Sequence, residues 1–211
     1  MTTEPFVICT AWDKNMSKHG ELCSESILQH IRRVEERGGS GITFVSRVIS
    51  DDYARPASWY KLELIRELLA TNPHVLWIDV DAMLIDQGDI RDGVNMSPNC
   101  PLQLCNDPNG VNAGVMWWNQ GYSAEGLLNR IEELAPQYLN DKWWETAAFN
   151  HDFALNPEDY AILEKGVWNA YSHELNPNTK IIHWPGFSNE DRIILMQAQV
   201  LGIRRNGHGT I

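Results

Sequence analysis

The stretch Val75-Leu76-Trp77-Ile78-Asp79-Val80-Asp81-Ala82-Met83-Leu84-Ile85 determines how the rest of the chain is interpreted. Four apolar residues run into an Asp-x-Asp pair, and a second apolar run follows it. The first run is short for a helix and has the composition of a buried strand. Because side chains alternate along a strand, the sequence predicts that Asp79 and Asp81 project from the same face.

Two carboxylates beside a buried strand are costly unless a cation compensates them. A divalent ion such as Mg²⁺ or Mn²⁺ accepts carboxylate oxygens and keeps positions free for phosphate oxygens. The pair therefore indicates a metal site. The alternative is a strand end that reaches solvent, where both aspartates are simply hydrated.

Composition limits the classes of partner. The chain has 211 residues, of which 43% are hydrophobic and 21% charged, as expected for one globular domain. Its formal net charge of −11 argues against nucleic acid and anionic membranes as partners. An anionic nucleotide would need a local cation. The nine tryptophans serve either core packing or stacking on a sugar or a base.

The cysteines and the termini bear on location. Cys9, Cys23, Cys100 and Cys105 lack the spacing of a zinc site, and a chain of this size needs no disulfide scaffold. We therefore expect reduced thiols and a cytoplasmic setting. No secretory signal and no apolar segment of about 18 residues is present, so no membrane insertion is expected. The chain could be one domain of a longer polypeptide.

The first half of the chain predicts a β-α-β-α-β unit. Strands are predicted at residues 6–12 and 42–49 and at the Asp-x-Asp stretch, with helices at 21–37 and 59–70 between them. This order favours a parallel sheet flanked by helices, in which ligands lie beyond the C-terminal strand ends. The loop after Thr10 and the Asp79/Asp81 pair should then share one edge of the sheet.

The second half is less regular, but contains no linker or repeat. Strands are predicted at residues 101–105, 111–119 and 180–184. Helices are predicted at 123–135, where Pro136 should end the helix, at 141–149, with Asp152 near its end, and at 190–201.

Four motifs, in a consistent order, carry a family resemblance: Trp59-Tyr60-Lys61, Leu76-Trp77-Ile78-Asp79-Val80-Asp81, Asn112-Ala113-Gly114-Val115 and Ile182-His183-Trp184-Pro185-Gly186. Together they resemble nucleotide-sugar glycosyltransferases of the GT-A fold, in particular the retaining galactosyl-, xylosyl- and mannosyltransferase-like groups. The chain is also similar to glycosyltransferase domains encoded by chlorella viruses. The resemblance implies one α/β domain over residues 1–211, with a mixed, mostly parallel sheet flanked by helices.

The resemblance also implies a ligand set for the metal. Asp81 would bind the ion directly, Asp79 directly or through water, and His183 as the third protein ligand. An imidazole ligand favours Mn²⁺ over Mg²⁺. The alternative for His183 is a structural histidine that packs beside Trp184.

Further residues are implied in binding a UDP-sugar donor. Thr10, Ala11 and Trp12 would hold the uracil and ribose, and Asp79 could accept a hydrogen bond from a hydroxyl group. Arg55 and Lys61 could counter the diphosphate, although Lys61 lies on the polar face of its predicted helix and could simply be solvated. The small residues of the late motifs would let the sugar approach the backbone: Asn112, Ala113, Gly114 and Gly186.

Asp152 is the candidate catalytic residue, because Asn150-His151-Asp152 lies roughly where the family carries an acidic or amide residue near the anomeric carbon. The family's acidic-amide pattern is not reproduced there. Asp152 could position the sugar, stabilise an oxocarbenium-like centre or only cap a helix. Arg204, Arg205 and His208 could fold over the phosphates or belong to a frayed tail.

The expected activity is metal-dependent transfer of a sugar from a UDP-sugar, with UDP-glucose or UDP-rhamnose as candidate donors, to a carbohydrate or glycoprotein glycan, with retention. Trp117, Trp118, Trp143, Trp144 and Trp184 offer stacking surface for the acceptor. Two alternatives stay open. One is a non-catalytic module that binds nucleotide sugars or carbohydrates. The other is an Asp-x-Asp phosphatase, although that class places its motif on the first strand and follows it with a threonine.

Overall fold

The first half of the chain forms the predicted β-α-β-α-β unit in a computed structural model that describes residues 5–85, 88–96, 99–108 and 110–207. The strands of this unit are β1 (Phe6–Trp12), β2 (Ile42–Val48) and β3 (His74–Ile78), and the helices are α1 (Ser17–Glu36) and α2 (Tyr60–Leu69). Strand β1 pairs in parallel with both β2 and β3, so the C-terminal ends of all three strands lie at one edge.

Alternate residues of these strands enter two separate cores. Val75 and Trp77 pack into the core on the α2 side, whereas Leu76 and Ile78 pack into the core on the α1 side. A strand buried on both faces needs apolar residues at every position, which explains the uninterrupted run in the sequence.

The second half extends the same sheet. Its strands are β5 (Leu102–Asp107), β6 (Gly110–Asn119) and β7 (Tyr160–Leu163), which give the order β2-β1-β3-β6-β5-β7. Strand β6 is antiparallel to both β3 and β5, and β7 is parallel to β5. The predicted mixed, mostly parallel sheet is therefore confirmed, with β7 as a strand that the sequence analysis did not predict.

Four further helices cover this half: α3 (Tyr122–Tyr138), α4 (Trp144–Leu155), α5 (Lys165–Trp168) and α6 (Asn189–Gly207). The prediction that Pro136 ends α3 is wrong: the helix continues through Pro136 to Tyr138, because a proline in the last turn forfeits only one helical hydrogen bond. Helix α4 begins later and ends later than predicted, so Asp152 lies inside it. In the described part of the chain, no helix combines the length and the apolar character that crossing a bilayer requires.

The Asp-x-Asp pair lies in a turn and not in a strand. Strand β3 ends at Ile78, and the amide of Ala82 closes the turn by donating to the Asp79 carbonyl oxygen at 3.0 Å. The turn, and not strand alternation, therefore places the two side chains, and they still project towards one site. The apolar run after the turn is a separate strand, β4 (Ala82–Leu84), which leaves the main sheet.

Strand β4 pairs with the late strand β8 (Ile181–His183) in a small antiparallel sheet. The register sets Ala82 opposite His183, and the amide of Trp184 donates to the Asp81 carbonyl oxygen at 3.0 Å. This pairing brings residues about one hundred positions apart into contact at the edge where β3 ends.

Candidate metal and nucleotide-sugar site

Asp79, Asp81 and His183 come together at this edge. Each offers one ligand atom, and these atoms all lie within 4.8 Å of one another. His183 Nε2 lies 3.1 Å from Asp81 Oδ1, and both residues are buried. Two carboxylates and an imidazole suit a first-row divalent ion, so the residues present fit the metal that the sequence predicts.

Gly114 lets the imidazole lie close to strand β6. A Cβ atom on Gly114 would be 2.4 Å from His183 Cε1, far inside van der Waals contact. The Gly114 carbonyl oxygen also accepts the Asp79 amide at 2.7 Å. The sequence predicted that a sugar approaches the backbone at Asn112-Ala113-Gly114. In this structure the His183 ring occupies that position next to Gly114.

Lys61 is buried beneath the site, with 1% of its surface exposed. Its Nζ contacts Asp79 Oδ1 at 3.0 Å, Glu145 Oε1 at 2.7 Å and the Ala113 carbonyl oxygen at 3.1 Å. Burial alone would lower the pKa of Lys61, but the Asp79 and Glu145 carboxylates raise it above its usual value, so the amine stays charged. The prediction that Lys61 lies on a polar helix face is wrong.

Asp79 is oriented by two donors on the same oxygen. Lys61 Nζ and the indole Nε1–H of Trp77, at 2.6 Å, both donate to Asp79 Oδ1. Oδ2 takes part in neither contact and is the oxygen that a metal ion could use. The first aspartate of the pair is therefore held rigidly from below.

Arg192, on α6, contacts the second aspartate at its other oxygen, with Nη1 lying 3.2 Å from Asp81 Oδ2. Burial alone would raise the pKa of Asp81, but His183 and Arg192 lower it to about 2, so the carboxylate stays ionised. The sequence analysis missed Arg192. In the sequence, Arg192 is only a basic residue in the first turn of a predicted helix, and side chains in such positions are usually solvated.

A cavity of about 870 Å³ opens over these residues. Asn112, Gly114 and Gly186 line it together with the Asp-Asp-His cluster. Helix α4 and the loop before it supply the opposite wall, which includes two exposed tryptophans, Trp143 and Trp144. Trp144 has a φ of 44°, a left-handed conformation that is strained for a residue with a side chain.

The remaining predicted donor residues lie outside the cavity lining. Thr10, Ala11 and Trp12 are at the C-terminal end of β1, on the predicted edge, with the Trp12 ring packed against Gly20 of α1. Arg55 forms an ion pair with Glu132 of α3 at 2.6 Å. Ala113 is buried and contributes its carbonyl oxygen to Lys61. His208 lies outside the described residues, as do the side chains of Arg204 and Arg205.

The structure does not bring Asp152 to the cavity. Arg130 Nε and Nη2 donate to its two carboxylate oxygens at 2.7 and 3.1 Å, and the Tyr160 hydroxyl donates to Oδ2 at 2.7 Å. The side chain is buried between α3, α4 and β7. Of the tryptophans expected to offer stacking surface, Trp117, Trp118 and Trp184 are core residues.

Glu145, and not Asp152, is the acidic residue of α4 that lines the cavity. No motif in the sequence singled it out. Lys61 holds its Oε1, while Oε2 is buried with no hydrogen-bond partner in the described part of the chain. A buried carboxylate oxygen without a hydrogen-bond partner is rare in folded proteins, which sets Glu145 apart at the cavity wall.

No protein-family model matches the chain, and no curated protein matches it. Solved structures do. The glycosyltransferase involved in glycosylation of the major capsid of PBCV-1, a chlorella virus, has a TM-score of 0.71 at 12% identity, over 92% of this chain and all of that one. The galactosyltransferase LgtC, crystallised with donor and acceptor sugar analogues, has a TM-score of 0.61 at 14% identity, over 98% and 97%. GlyE of Streptococcus pneumoniae TIGR4 has a TM-score of 0.62 at 16% identity, over 93% and 61%.

This chain has the GT-A fold. The predicted fold class is thereby confirmed, as is the structural resemblance to glycosyltransferases of this fold. At 12–16% identity these structures show the fold that the chain shares with them and not its chemistry. Evidence on chemistry comes from the residues that line the cavity of this protein.

Proposed function

We propose that this protein is a metal-dependent glycosyltransferase that transfers a sugar from a UDP-sugar to a carbohydrate acceptor. The observation that carries the proposal is the Asp79-Asp81-His183 cluster at the floor of a large cavity in a GT-A fold. Asp79, Asp81 and His183 would hold Mn²⁺ or Mg²⁺. When bound, such an ion supplies positive charge to the diphosphate as it leaves.

The charge of the cavity supports a requirement for that ion. Five carboxylates belong to its lining: Asp79, Asp81, Asp107, Asp141 and Glu145. Among the described lining residues, Arg192 is the only arginine or lysine. A diphosphate would be repelled from this surface unless a divalent ion were held there as well. Arg192 would donate to the phosphate oxygens once Asp81 serves as a metal ligand.

Glu145 takes the role that the sequence gave to Asp152. Its Oε2, which is buried without a partner, would accept a hydrogen bond from a hydroxyl group of the donor sugar once a rotation of the side chain brings it to the cavity surface. Lys61 links Glu145 to Asp79. The protein then acts mainly by holding donor and acceptor in line. Retention of the anomeric configuration follows from the resemblance to the retaining groups and is part of the proposal.

The acceptor is proposed to be a carbohydrate. Trp143 and Trp144 are 52% and 48% exposed at the cavity wall, where flat apolar rings suit the faces of sugar rings. Large exposed rings beside a polar cavity are typical of a ligand surface.

The test is a thermal-shift panel of nucleotide sugars, including UDP-glucose and UDP-rhamnose, with and without Mn²⁺. We expect at least one UDP-sugar to raise the melting temperature only when Mn²⁺ is present. Asp81→Ala should abolish that shift and the calorimetric binding of UDP with Mn²⁺, while circular dichroism shows a retained fold. Unchanged affinity of Asp81→Ala for UDP with Mn²⁺ would contradict the metal assignment.

Turnover separates this proposal from its rivals. Metal-dependent hydrolysis of the bound UDP-sugar, with the anomer of the first product read by NMR, would support transfer and decide retention. Binding with no turnover on any acceptor or water would favour a non-catalytic module. Release of inorganic phosphate from a monoester would favour a phosphatase.

A further inference from the structure

We infer that Asn169 is a positioning residue that fixes the tautomer of His183, so that the Nε2 lone pair faces the cation site. The inference rests on the proposed function, because it concerns how this chain prepares its own metal ligand. It follows from a line of hydrogen bonds that begins at a backbone amide and ends at the imidazole.

The first step orients Asn112. The backbone N–H of Gly114 donates to one terminal atom of the Asn112 side chain at 2.8 Å. A backbone amide can only donate, so that atom must be the carbonyl oxygen Oδ1. The Asn112 Nδ2 then points to the Asp107 carboxylate at 3.3 Å, where a donor is required.

The second step transfers this orientation to His183. Asn112 Oδ1 also lies 2.9 Å from a terminal atom of Asn169, which must therefore be its NH₂ group. The Asn169 oxygen is left facing His183 Nδ1 at 2.8 Å. An amide oxygen accepts only, so Nδ1 carries the proton. When the imidazole is doubly protonated, Nε2 donates to Asp81 Oδ1 at 3.1 Å; when it is neutral, Asn169 keeps the proton on Nδ1 and leaves Nε2 for a cation shared with Asp81.

The backbone keeps this arrangement rigid. Asn169 is fully buried directly after α5, and its amide donates to the Lys165 carbonyl oxygen at 3.0 Å. The next residue, Ala170, is bonded to β8 on both sides: its amide donates to Ile181 at 3.0 Å, and its carbonyl accepts from the His183 amide at 2.9 Å. Asn169 and His183 are thus held at a fixed spacing by main-chain bonds.

A purely structural asparagine would satisfy the buried histidine in either tautomer, so the tautomer itself is the decisive observable. We would label the histidines with ¹⁵N and record long-range proton–nitrogen correlations on metal-free protein, at a pH where the imidazole is neutral. The His183 signals are identified by their loss in His183→Ala. We expect a pyrrole-type Nδ1 and a pyridine-type Nε2 in the wild type.

Substitutions then test whether Asn169 is responsible. Asn169→Asp keeps an acceptor opposite Nδ1 and should keep the tautomer. Asn169→Ala removes the acceptor, so the proton can occupy either nitrogen and the spectrum should change. Calorimetry with Mn²⁺ should show roughly 10- to 100-fold weaker binding by Asn169→Ala, as for other partners of metal ligands. Asn169→Asp loses the donation to Asn112 Oδ1 but should still bind Mn²⁺ more tightly than Asn169→Ala, because it keeps the acceptor opposite Nδ1.

Asn176→Ala is the matched control. Asn176 belongs to the same segment but donates to the Gly166 carbonyl oxygen at 3.0 Å, away from the histidine. Its loss should leave both the His183 tautomer and the Mn²⁺ affinity unchanged, which separates loosening of the segment from loss of the Asn169 acceptor.

A wild-type His183 that carries its proton on Nε2 would overturn the inference, as would Asn169→Ala with an unchanged tautomer and unchanged Mn²⁺ affinity. If Asn169→Ala does not fold, the wild type and Asn169→Asp still decide it. Wild-type protein that binds no Mn²⁺ would contradict the proposed function instead, while the tautomer in the metal-free protein still tests the role of Asn169.

Discussion

Gly114→Ala should remove metal binding without removing the fold. The new Cβ would lie 2.4 Å from His183 Cε1, whereas ordinary contact begins at 3.4 Å. The imidazole must therefore move by about 1 Å, the difference between these two distances. Metal–ligand distances tolerate only about 0.2 Å of error, so a shift of this size takes His183 out of the ligand set.

The expected magnitude follows from that displacement. Disturbing a partner of a metal ligand typically lowers affinity about 10- to 100-fold, and displacing the ligand itself should cost at least as much. Such a loss corresponds to roughly 1.4–2.8 kcal/mol of binding free energy. Overpacking at a buried glycine should also lower the free energy of unfolding, by about 1–3 kcal/mol, which a domain of this size tolerates.

The assay is calorimetric titration with Mn²⁺, with urea denaturation as the measure of folding. Gly126→Ala is the matched control, because nothing lies within 4 Å of a Cβ at that position in α3. It should raise the free energy of unfolding by up to about 1 kcal/mol and leave Mn²⁺ affinity unchanged.

A second measurement locates the effect at His183. If the new methyl group acts by displacing the ring, Gly114→Ala in a His183→Ala background should cost no further affinity. Wild-type Mn²⁺ affinity in folded Gly114→Ala protein would refute the reasoning, because a histidine displaced by about 1 Å cannot remain a ligand at full strength.

Substitutions at three other positions test the surroundings of the site. Lys61→Met should lower the free energy of unfolding in urea by about 3–5 kcal/mol, because Glu145 would be left buried and unpaired; a loss under 1 kcal/mol would contradict this. Arg192→Ala should weaken UDP binding in the presence of Mn²⁺ by roughly 10- to 100-fold in calorimetry, and Arg192→Lys should have an intermediate affinity. Equal affinity in the wild type and both variants would exclude a contact between Arg192 and phosphate. Trp144→Gly should have a free energy of unfolding in urea equal to that of Trp144→Ala or higher by up to about 2 kcal/mol, because only glycine adopts a φ of 44° without strain. If Trp144→Ala is the more stable variant, as in an ordinary helix, the strain is absent.

Local pattern was enough to predict the parallel half of the sheet. The apolar runs at β1, β2 and β3 and the amphipathic helices between them require parallel strands covered on both faces, and that arrangement fixes where the strand ends meet. The Asp-x-Asp pair was singled out for the same reason, because polar residues directly after a buried strand are visible without knowledge of the fold. His183, the last residue of β8, was singled out only through the family resemblance.

What local pattern could not predict is which distant residues meet. Lys61 was expected on a polar helix face, but Glu145 arrives from a helix more than eighty positions later and makes its burial possible. Asp152 has the residue type of a catalytic acid, but Arg130 and Tyr160 bind it on the far side of α4. A side chain's partners in other elements, and not its own neighbours in sequence, decide whether its charge can be buried.

The sequence by itself determined the first three strands of the sheet, their C-terminal edge and the residue types of the cluster, because periodicity and polarity are local properties of the chain. Only the tertiary structure decided the site, because the β4–β8 register sets His183 against Asp81, α6 brings Arg192 to the same carboxylate, and Asn169 orients the imidazole. Hydrogen bonds and ion pairs act over a few ångströms, so they depend on distances that a linear order of residues does not contain.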